Sequence, residues 1–573
     1  MSWMCHSATL FLLASWLLSA SWGAVAATTS IRTLLRPLGG YEKLLSRKTP
    51  GTPFVSLSHG SVFVLDRALD GTKLVQAVAR TMARHPLLRS RITSQEPESG
   101  GAGFESERAW AYCDEDNLEV LAGRSVYTAT TVPSAQFEGV WRAELEKSLN
   151  EVEFPEAGPL WRLAHLPSVG QSALVFTFNH ATDDQQSLHI ILRDVLREYE
   201  RIDQGKQAPP VESLPFPASV EEAVAPGAPT GNTIRWALFQ LFNAIRGPVM
   251  IPLQVTANLK ADPARYAAYA NPDTRRTFIE PFTLPNTVAI ALRAACNARN
   301  NTVTSILAAA MLCTTAAAIQ RSDSDSNLPG ADKAPNPNPN PTRDMLLRFL
   351  LSVDLRPYGA VAAAAATATA TSVGAGQRKG LQGRGDWAGG TVACAAGAVD
   401  FDVPVAAAIA SYGSPQAAAS LSSLAAADKA AMHENMWNLA ARCRNDATEV
   451  IEYSRFVPES VRLFGLGMKY AKVLQVVELD AKSSASLGRG YSCGVSNMGL
   501  VQFDSGIQVR QAFYGTSHAR NGVLCQLSCM TTGPPGKEQF FGTLQFTDPI
   551  ITRGQGAAIR QALCDLLTEV SQP

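Results

Sequence analysis

The clearest pattern of apolar and polar residues lies between residues 171 and 200. Every second residue from Leu174 to Phe178 is large and apolar, a period of two that predicts a β-strand. From Ser187 to Tyr199 the apolar residues recur with the spacing of one helix face, which predicts a helix. The pattern therefore predicts a strand, a short loop and a helix, with His180 at the end of the strand.

Similar patterns predict further helices and strands along most of the chain. The first half is predicted to contain a strand at 61–66, a helix that begins after Asp70 and ends before Pro86, a helix at 141–149 and a strand that starts at 159. The second half is predicted to contain helices at 284–297, 302–320, 437–453 and 554–570, and strands at 347–353, 507–514, 523–531 and 539–547. Helices and strands mixed in this way indicate an α/β protein with mixed sheets.

The length indicates two domains with insertions. At 573 residues the chain exceeds the usual size of one domain, about 100–200 residues. A Pro- and Ala-rich stretch at 208–231 lies between the two halves. The predicted parts are a first lobe at 28–225, a linker at 226–272, a second lobe at 273–573, and disordered insertions within that lobe near 322–343 and 359–388.

The first 27 residues have a different character. Leu10 to Ala27 is apolar and uncharged and ends in small residues, as a secretory signal peptide does. No Lys or Arg precedes this segment, so an uncleaved membrane anchor is the second interpretation. We expect the secretory pathway or a membrane as the location, with an organelle or the cytoplasm as alternatives, and membrane contact only through this segment.

Composition and charge exclude some functions. The 50 basic and 50 acidic residues balance, and no Lys/Arg stripe is present, which argues against a nucleic-acid partner. The ten cysteines are scattered without a CxxC pair, which argues against a zinc site of that type.

His180 and Asp184 suggest acid–base chemistry. A neutral imidazole at the end of a rigid strand can take a proton from a hydroxyl or an amine, and a nearby carboxylate can brace the loop. Asp183 and His189 lie close in sequence, so a metal site is an alternative for these residues. We predict no metal, because His189 falls inside the predicted helix and no second cluster supplies further ligands.

Seven short segments extend this interpretation when taken in order. They are Arg36-Pro-Leu-Gly39, Arg84-His-Pro-Leu-Leu-Arg89, Pro159-Leu-Trp-Arg162, His180-x-x-x-Asp184, Thr302-Val-Thr-Ser305, Asp354-Leu-Arg-Pro357 and Ser496-Asn-Met-Gly499. The ordered set resembles the chloramphenicol-acetyltransferase-like acyltransferase superfamily, which includes condensation domains, alcohol acetyltransferases and polyketide-associated acyltransferases. The similarity covers most of residues 34–570, and it rests on the order, because HxxxD alone is common.

The resemblance implies two similar lobes with mixed sheets and an active site in the channel between them. It implies transfer of an acyl group from a thioester, on CoA or a carrier protein, to a hydroxyl or amine of a small molecule, without a cofactor. His180 would be the general base, and Asp184 would pair with an arginine, for which Arg356 is the candidate. The cleft would be bordered by Ser496, Asn497 and Gly499, which either polarise the oxyanion or form a simple β-turn.

Two positions depart from the condensation-domain pattern. Asn179 stands where those domains carry a first histidine, and Gln185 stands where they carry a glycine that lets the loop turn tightly. The missing histidine favours the stand-alone transferases within the superfamily over peptide-bond-forming domains.

Two other functions remain open from the sequence. Gly490-Tyr-Ser-Cys-Gly494 fits the GxSxG pattern of serine hydrolases, with Ser492 as the nucleophile, although no helical pattern follows it. Alternatively, the chain is a non-catalytic relative that binds a lipid or a partner, a hypothesis that Gln185 and the insertions motivate.

Overall fold

The protein is described by a computed structural model in which residues 34–46, 57–95, 107–224 (without 152, 156 and 208), 263–321, 345–358, 392–414, 421, 424–452, 461–462, 464–465 and 487–572 (without 519–520 and 535) are placed. The leader at 1–27, most of the predicted linker and the two insertions near 322–343 and 359–388 lie outside the described residues.

The first lobe alternates short strands with amphipathic helices. Its elements are β1 (Leu34–Pro37), α1 (Gly40–Leu45), β2 (Ser58–Leu65), α2 (Gly71–Arg84), β3 (Ser90–Gln95), β4 (Glu107–Tyr112), α3 (Leu118–Ser125), β5 (Val126–Thr128), α4 (Phe137–Asn150), β6 (Trp161–Ser168), β7 (Gln171–Asn179), α5 (Gln185–Asp203) and α6 (Val220–Val224).

The second lobe has longer helices and strands. Its elements are α7 (Pro263–Ala270), β8 (Arg276–Leu284), α8 (Asn286–Ala298), α9 (Val303–Arg321), β9 (Met345–Asp354), β10 (Ala396–Val405), α10 (Ala407–Tyr412), α11 (Ala426–Glu452), β11 (Arg489–Val501), β12 (Val509–Thr516), β13 (Gly522–Thr532), β14 (Gln539–Asp548) and α12 (Arg553–Val570).

Local signals account for several of these boundaries. The Asp70 side chain accepts a hydrogen bond from the Lys73 N–H at 2.9 Å and caps α2. The helix ends at Arg84, because Pro86 disfavours helical backbone at the residue before it. Leu74 and Met82 are fully buried on its inner face. The helix predicted between Asp70 and Pro86 is therefore confirmed.

Each lobe is built around one β-sheet. The first-lobe sheet has the strand order β12-β2-β7-β6-β5, and the second-lobe sheet has the order β10-β9-β11-β13-β14-β8. Strand β11 runs parallel to β9 and β13, whereas the other pairings in the second sheet are antiparallel. A separate sheet contains β1, β4 and β3. The predicted α/β class with mixed sheets and two lobes is confirmed.

Strand β12 connects the lobes. It comes late in the chain, yet it pairs with β2 at the edge of the first-lobe sheet, from Val509 opposite Leu65 to Thr516 opposite His59. Its Phe513 ring stacks on Trp141 of α4 with centroids 5.2 Å apart and meets Phe541 of β14 edge-on at 5.6 Å. The apolar pattern predicted a strand here but gave no information about which sheet it joins.

Some elements were missed or misplaced at the sequence level. Strand β10 was not predicted, and α11 begins at Ala426, well before the predicted start at 437. Helix α7 falls inside the predicted linker, where the Tyr269 hydroxyl donates to the Leu487 carbonyl at 2.9 Å. These segments are rich in alanine or polar residues, and tertiary contacts decide their structure.

Among the described helices, none is by itself long and apolar enough to cross a membrane. The pair α8 and α9 meets that requirement jointly, as Asn286–Ala298 followed by Val303–Ile319, with a bend of 106° between them.

We expect Phe513→Ala to lower the free energy of unfolding by about 3–5 kcal/mol, because it removes a buried ring between α4 and β14. Urea denaturation followed by tryptophan fluorescence measures this loss. Tyr127→Ala is the matched control, since that ring is 64% exposed, and it should cost less than about 0.5 kcal/mol. A loss of under about 1 kcal/mol for the Phe513 variant would contradict this role of β12.

Candidate active site

The predicted strand, loop and helix are present, and the loop between them is tightly bonded. The His180 N–H donates to the Leu57 carbonyl at 3.1 Å. The Asn179 side-chain oxygen accepts from the Ala181 N–H at 3.1 Å, and the Asn179 backbone carbonyl accepts from the Thr182 hydroxyl at 2.7 Å. Asn179 thus closes the turn that presents His180 at the end of β7.

The His180 ring is held in one tautomer. Its Nδ1 lies 2.8 Å from the Asp183 carbonyl oxygen, which can only accept, so Nδ1 carries the proton and Nε2 keeps a lone pair. Burial and the nearby positive charge of His59 lower the pKa of His180 to about 4. The imidazole is therefore neutral at neutral pH, which is the form a general base requires.

Asp184 and Arg356 form a buried ion pair between the lobes. Guanidinium nitrogens Nη1 and Nη2 of Arg356 lie 2.9 and 2.8 Å from the two carboxylate oxygens, and both side chains are about 5% exposed or less. The carboxylate also accepts from the backbone N–H groups of Ser187 and Ala395, each at 2.8 Å. Burial alone would raise the pKa of Asp184, but Arg356 and these hydrogen bonds hold it below its usual range.

The ion pair belongs to a wider junction at the start of α5. Asp184 is the N-cap of this helix, and the Ser187 hydroxyl donates to the Ala393 carbonyl at 2.7 Å while accepting from the Ala393 N–H at 2.9 Å. These contacts fix both neighbours of Cys394, whose Sγ lies 4.0 Å from His180 Nδ1. The first-lobe loop and the second-lobe segment 393–395 are thereby held together.

His59 is a site residue that the sequence did not reveal. It lies on β2, is 2% exposed, and its ring stacks on the His180 ring with centroids 5.4 Å apart. Its Nδ1 lies 3.0 Å from Asp183 Oδ2, and its Nε2 lies 2.8 Å from Gln185 Oε1. No local pattern could have identified it, because its partners are more than a hundred positions away in the sequence.

Gln185 fits the loop without strain. It is the first residue of α5, so its backbone is helical and a glycine is not required there. Its Oε1 also accepts from the Ser61 hydroxyl at 2.8 Å, and its Nε2 lies 2.9 Å from His189 Nε2. The departure from the glycine pattern is thus accommodated by a buried hydrogen-bonded network around His59.

The three residues expected to border the cleft lie on β11, whose pairing with β13 is regular at Ser496 and irregular between Asn497 and Leu500. Gly499 has φ +67°, and its N–H donates to the Asn497 side chain at 2.9 Å. The Asn497 amide donates to the Thr304 hydroxyl at 3.1 Å, and the Ser496 carbonyl accepts from the Tyr514 hydroxyl at 2.6 Å. This segment is a strand with a bulge and not a simple β-turn.

Ser492 has the wrong surroundings for a hydrolase nucleophile. The GxSxG segment lies inside β11, and the Ser492 side chain is fully buried. Its hydroxyl oxygen accepts from the Arg348 N–H at 3.3 Å. A nucleophile elbow requires a sharp turn from strand to helix with an exposed hydroxyl, and the strand provides neither.

Three side chains could approach a single cation. One ligand atom each from His59, His180 and Asp183 lies within 4.8 Å of the others. However, His59 Nδ1 and Asp183 Oδ2 already share a hydrogen bond, and Nδ1 of His180 donates to a carbonyl. These contacts fit a hydrogen-bonded cluster of titratable side chains better than a set of metal ligands.

An open cavity on the second lobe lies apart from this chemistry. It has a volume of about 620 Å³, and its walls include Arg299, Lys429 and Trp437 of the second lobe. None of the residues around His180 lines it, so the candidate site rests on the side-chain cluster.

We expect Arg356→Ala to lower the free energy of unfolding by about 3–5 kcal/mol, because it leaves the Asp184 carboxylate buried without its countercharge. Chemical denaturation measures this effect. Arg348→Ala is the matched control: its pair with Asp402 is 26% and 35% exposed, so the loss should be under about 1 kcal/mol. Adding Asp184→Asn to Arg356→Ala should recover part of the loss, and no recovery would contradict this explanation.

The pKa of His180 should lie below that of a free histidine, about 6.5, and near 4. A titration of ring signals by NMR, with His180→Ala to assign them, measures it among only eight histidines. Because the unfolded chain binds this proton more readily, His180 destabilises the fold as the pH falls from about 6.5 towards 4. A measured pKa above 6.5 would contradict the neutral state of this ring.

Comparison with known proteins identifies the fold. No protein-family model and no curated protein matches this chain. Among solved structures, it is similar to the TRI3 trichothecene 15-O-acetyltransferase of Fusarium sporotrichioides, with a TM-score of 0.55, 11% identity and coverage of 93% of this chain and 95% of that one. The first condensation domain of the calcium-dependent antibiotic synthetase follows with a TM-score of 0.50, 13% identity and coverage of 94% and 96%.

The EpoB cyclization-docking bidomain of Sorangium cellulosum is similar at a TM-score of 0.50 and 13% identity, over 95% of this chain and 87% of that one. At such identities the similarity establishes the fold, and the activity must be argued from the site. The chain has the two-lobed fold of the chloramphenicol-acetyltransferase-like acyltransferases and condensation domains.

Proposed function

We propose that this protein transfers an acyl group from a thioester to a hydroxyl or amine, with His180 as the general base. The observation that carries the proposal is the His180 ring, whose Nδ1–H donates to the Asp183 carbonyl at 2.8 Å and leaves Nε2 able to accept a proton. The Asp184–Arg356 pair supports it by bonding the loop that carries this ring to the second lobe.

The proposed reaction is a direct transfer. His180 Nε2 takes the proton of the acceptor O–H or N–H as that atom bonds to the thioester carbonyl carbon. The tetrahedral intermediate then collapses, the C–S bond breaks, and the imidazolium returns the proton to the thiolate. The low pKa of the resting His180 keeps it unprotonated, and the negative charge that develops on the substrate favours the imidazolium during the reaction.

The oxyanion that forms on the thioester carbonyl requires hydrogen-bond donors, and β11 supplies the candidates. The Gly499 N–H and one of the two side-chain N–H groups of Asn497 donate to partners inside the protein. We therefore assign to Ser496, beside Tyr514, the first role in contacting the oxyanion, and to Asn497 and Gly499 the shaping of the bulge in β11.

The donor is a thioester of CoA or of a carrier protein, and the acceptor is a small-molecule alcohol or amine. The redox state of the cysteines indicates the cellular compartment in which the protein would encounter such donors. All nine cysteines that the structure describes are free thiols. Unpaired buried thiols are typical of reducing compartments, where CoA thioesters are available, and this favours an organelle or the cytoplasm over the secretory pathway.

We expect acceptor-dependent release of free thiol when the purified protein is mixed with acyl-CoA donors and pooled alcohols or amines. His180→Ala should reduce the rate by at least about 100-fold, because it removes the base. A thiol-reactive dye measures the release, and circular dichroism checks the fold of the variant.

Ser492→Ala is the control, because Ser492 is buried in β11, and it should keep the wild-type rate. Loss of turnover in the Ser492 variant with retention in the His180 variant would support the esterase alternative. Absence of turnover with every CoA and carrier-protein donor would support a binding-only role.

A further inference from the structure

We propose that His59 is a positioning residue for His180 and that it acts through Asp183. This inference rests on the proposed function, because it assigns the device that keeps the general base in its working tautomer. Asp183 contacts both histidines with different groups: its side chain bonds His59 Nδ1 at 3.0 Å, and its backbone carbonyl accepts from His180 Nδ1 at 2.8 Å. The bond from His59 that fixes the Asp183 side chain therefore also fixes the Asp183 backbone carbonyl.

The surroundings of His59 leave it little freedom. The imidazole is bonded at both nitrogens, to Asp183 and to Gln185, and it packs face to face with His180. The Tyr514 ring meets it edge-on with centroids 6.3 Å apart. A ring fixed on four sides can fix Asp183 in turn, which is how outer residues orient the groups that react.

The hydrogen-bond directions favour a cationic His59. Gln185 directs Oε1 towards His59 and Ser61 and directs Nε2 towards His189, so both ring nitrogens of His59 face oxygen atoms and both donate. Burial alone would lower the pKa of His59, but the charge and hydrogen bond of Asp183 outweigh it and raise the pKa. Asp183 is fully buried, and its pKa rises to about 6 for that reason.

The charged and titratable groups around the two histidines agree with this assignment. Those around His59 are Asp183, Asp184, His180, His189 and Tyr514, and those around His180 are His59, Asp183, Asp184, Cys394 and His518. The carboxylates favour a proton on His59, whereas the cation at His59 disfavours one on His180. The pair thus keeps one histidine charged and the other neutral.

The test compares two His59 variants, one that keeps an aromatic ring without the hydrogen-bond donors and one that keeps a donor without the ring. His59→Phe keeps a stacked ring but removes both nitrogens, and His59→Asn keeps an N–H near the position of Nδ1. We expect His59→Phe to lower kcat by between about 10- and 1,000-fold, with KM for both substrates changed less than about threefold. His59→Asn should restore kcat to within about tenfold of the wild type.

The tautomer of His180 distinguishes a positioning role of His59 from a merely structural one, because a structural role would leave this tautomer unchanged. Nitrogen-15 NMR of ring-labelled histidines in the full-length protein distinguishes the Nδ1–H form from the Nε2–H form. We expect a single Nδ1–H form of His180 in the wild type and a mixture in His59→Phe. His165→Phe is the control for loss of a buried histidine from the same sheet, and it should leave the tautomer and kcat unchanged.

Asp183→Ala covers the case in which His59→Phe does not fold, and it should give the same mixture of tautomers, whereas Asp183→Asn should not. An unchanged single tautomer and a wild-type kcat in both His59→Phe and Asp183→Ala would overturn the inference. A mixed tautomer in a protein whose wild type transfers no acyl group would support the positioning role and overturn the proposed function.

Discussion

The buried pair between Asp184 and Arg356 is the interaction on which the rest of the site depends. It joins the helix that follows the His180 loop to the end of a second-lobe strand, and four hydrogen bonds satisfy the carboxylate. Such a pair is costly to bury and costly to break, so it adds little net stability but strongly favours one arrangement of the lobes. That arrangement brings Cys394 and Tyr514 to the histidine cluster.

The geometry favours direct transfer over a covalent enzyme intermediate. Cys394 is a competing nucleophile beside His180, with Sγ 4.0 Å from His180 Nδ1. That nitrogen already carries a proton that it donates to the Asp183 carbonyl, so it cannot activate the thiol. Burial and the Asp184 charge also keep the pKa of Cys394 well above its usual range. The free lone pair of His180 is on Nε2, the nitrogen to which the proposed reaction assigns the proton of the acceptor.

Local patterns predicted the elements that carry His180, but they could not predict its neighbours. The alternation in β7 and the helical period in α5 are properties of contiguous residues, so the sequence suffices for them. The resemblance to a known superfamily supplied Arg356 as the candidate partner of Asp184. The contacts of His59 and the placement of β12 depend on pairing between distant segments, which local patterns do not encode. The reason why Gln185 can replace the glycine of condensation domains became clear only from the structure, in which its side chain turns towards His59.

The central claim is that His180 promotes transfer directly from the donor thioester to the acceptor. The most direct test is intact-mass spectrometry of the full-length protein mixed with an acyl-CoA, first without an acceptor and then with one. The account predicts an unmodified protein mass throughout, with thioester consumed only when the acceptor is present. An acyl adduct on the protein that forms before the acceptor is added, and that passes to it afterwards, would contradict the account.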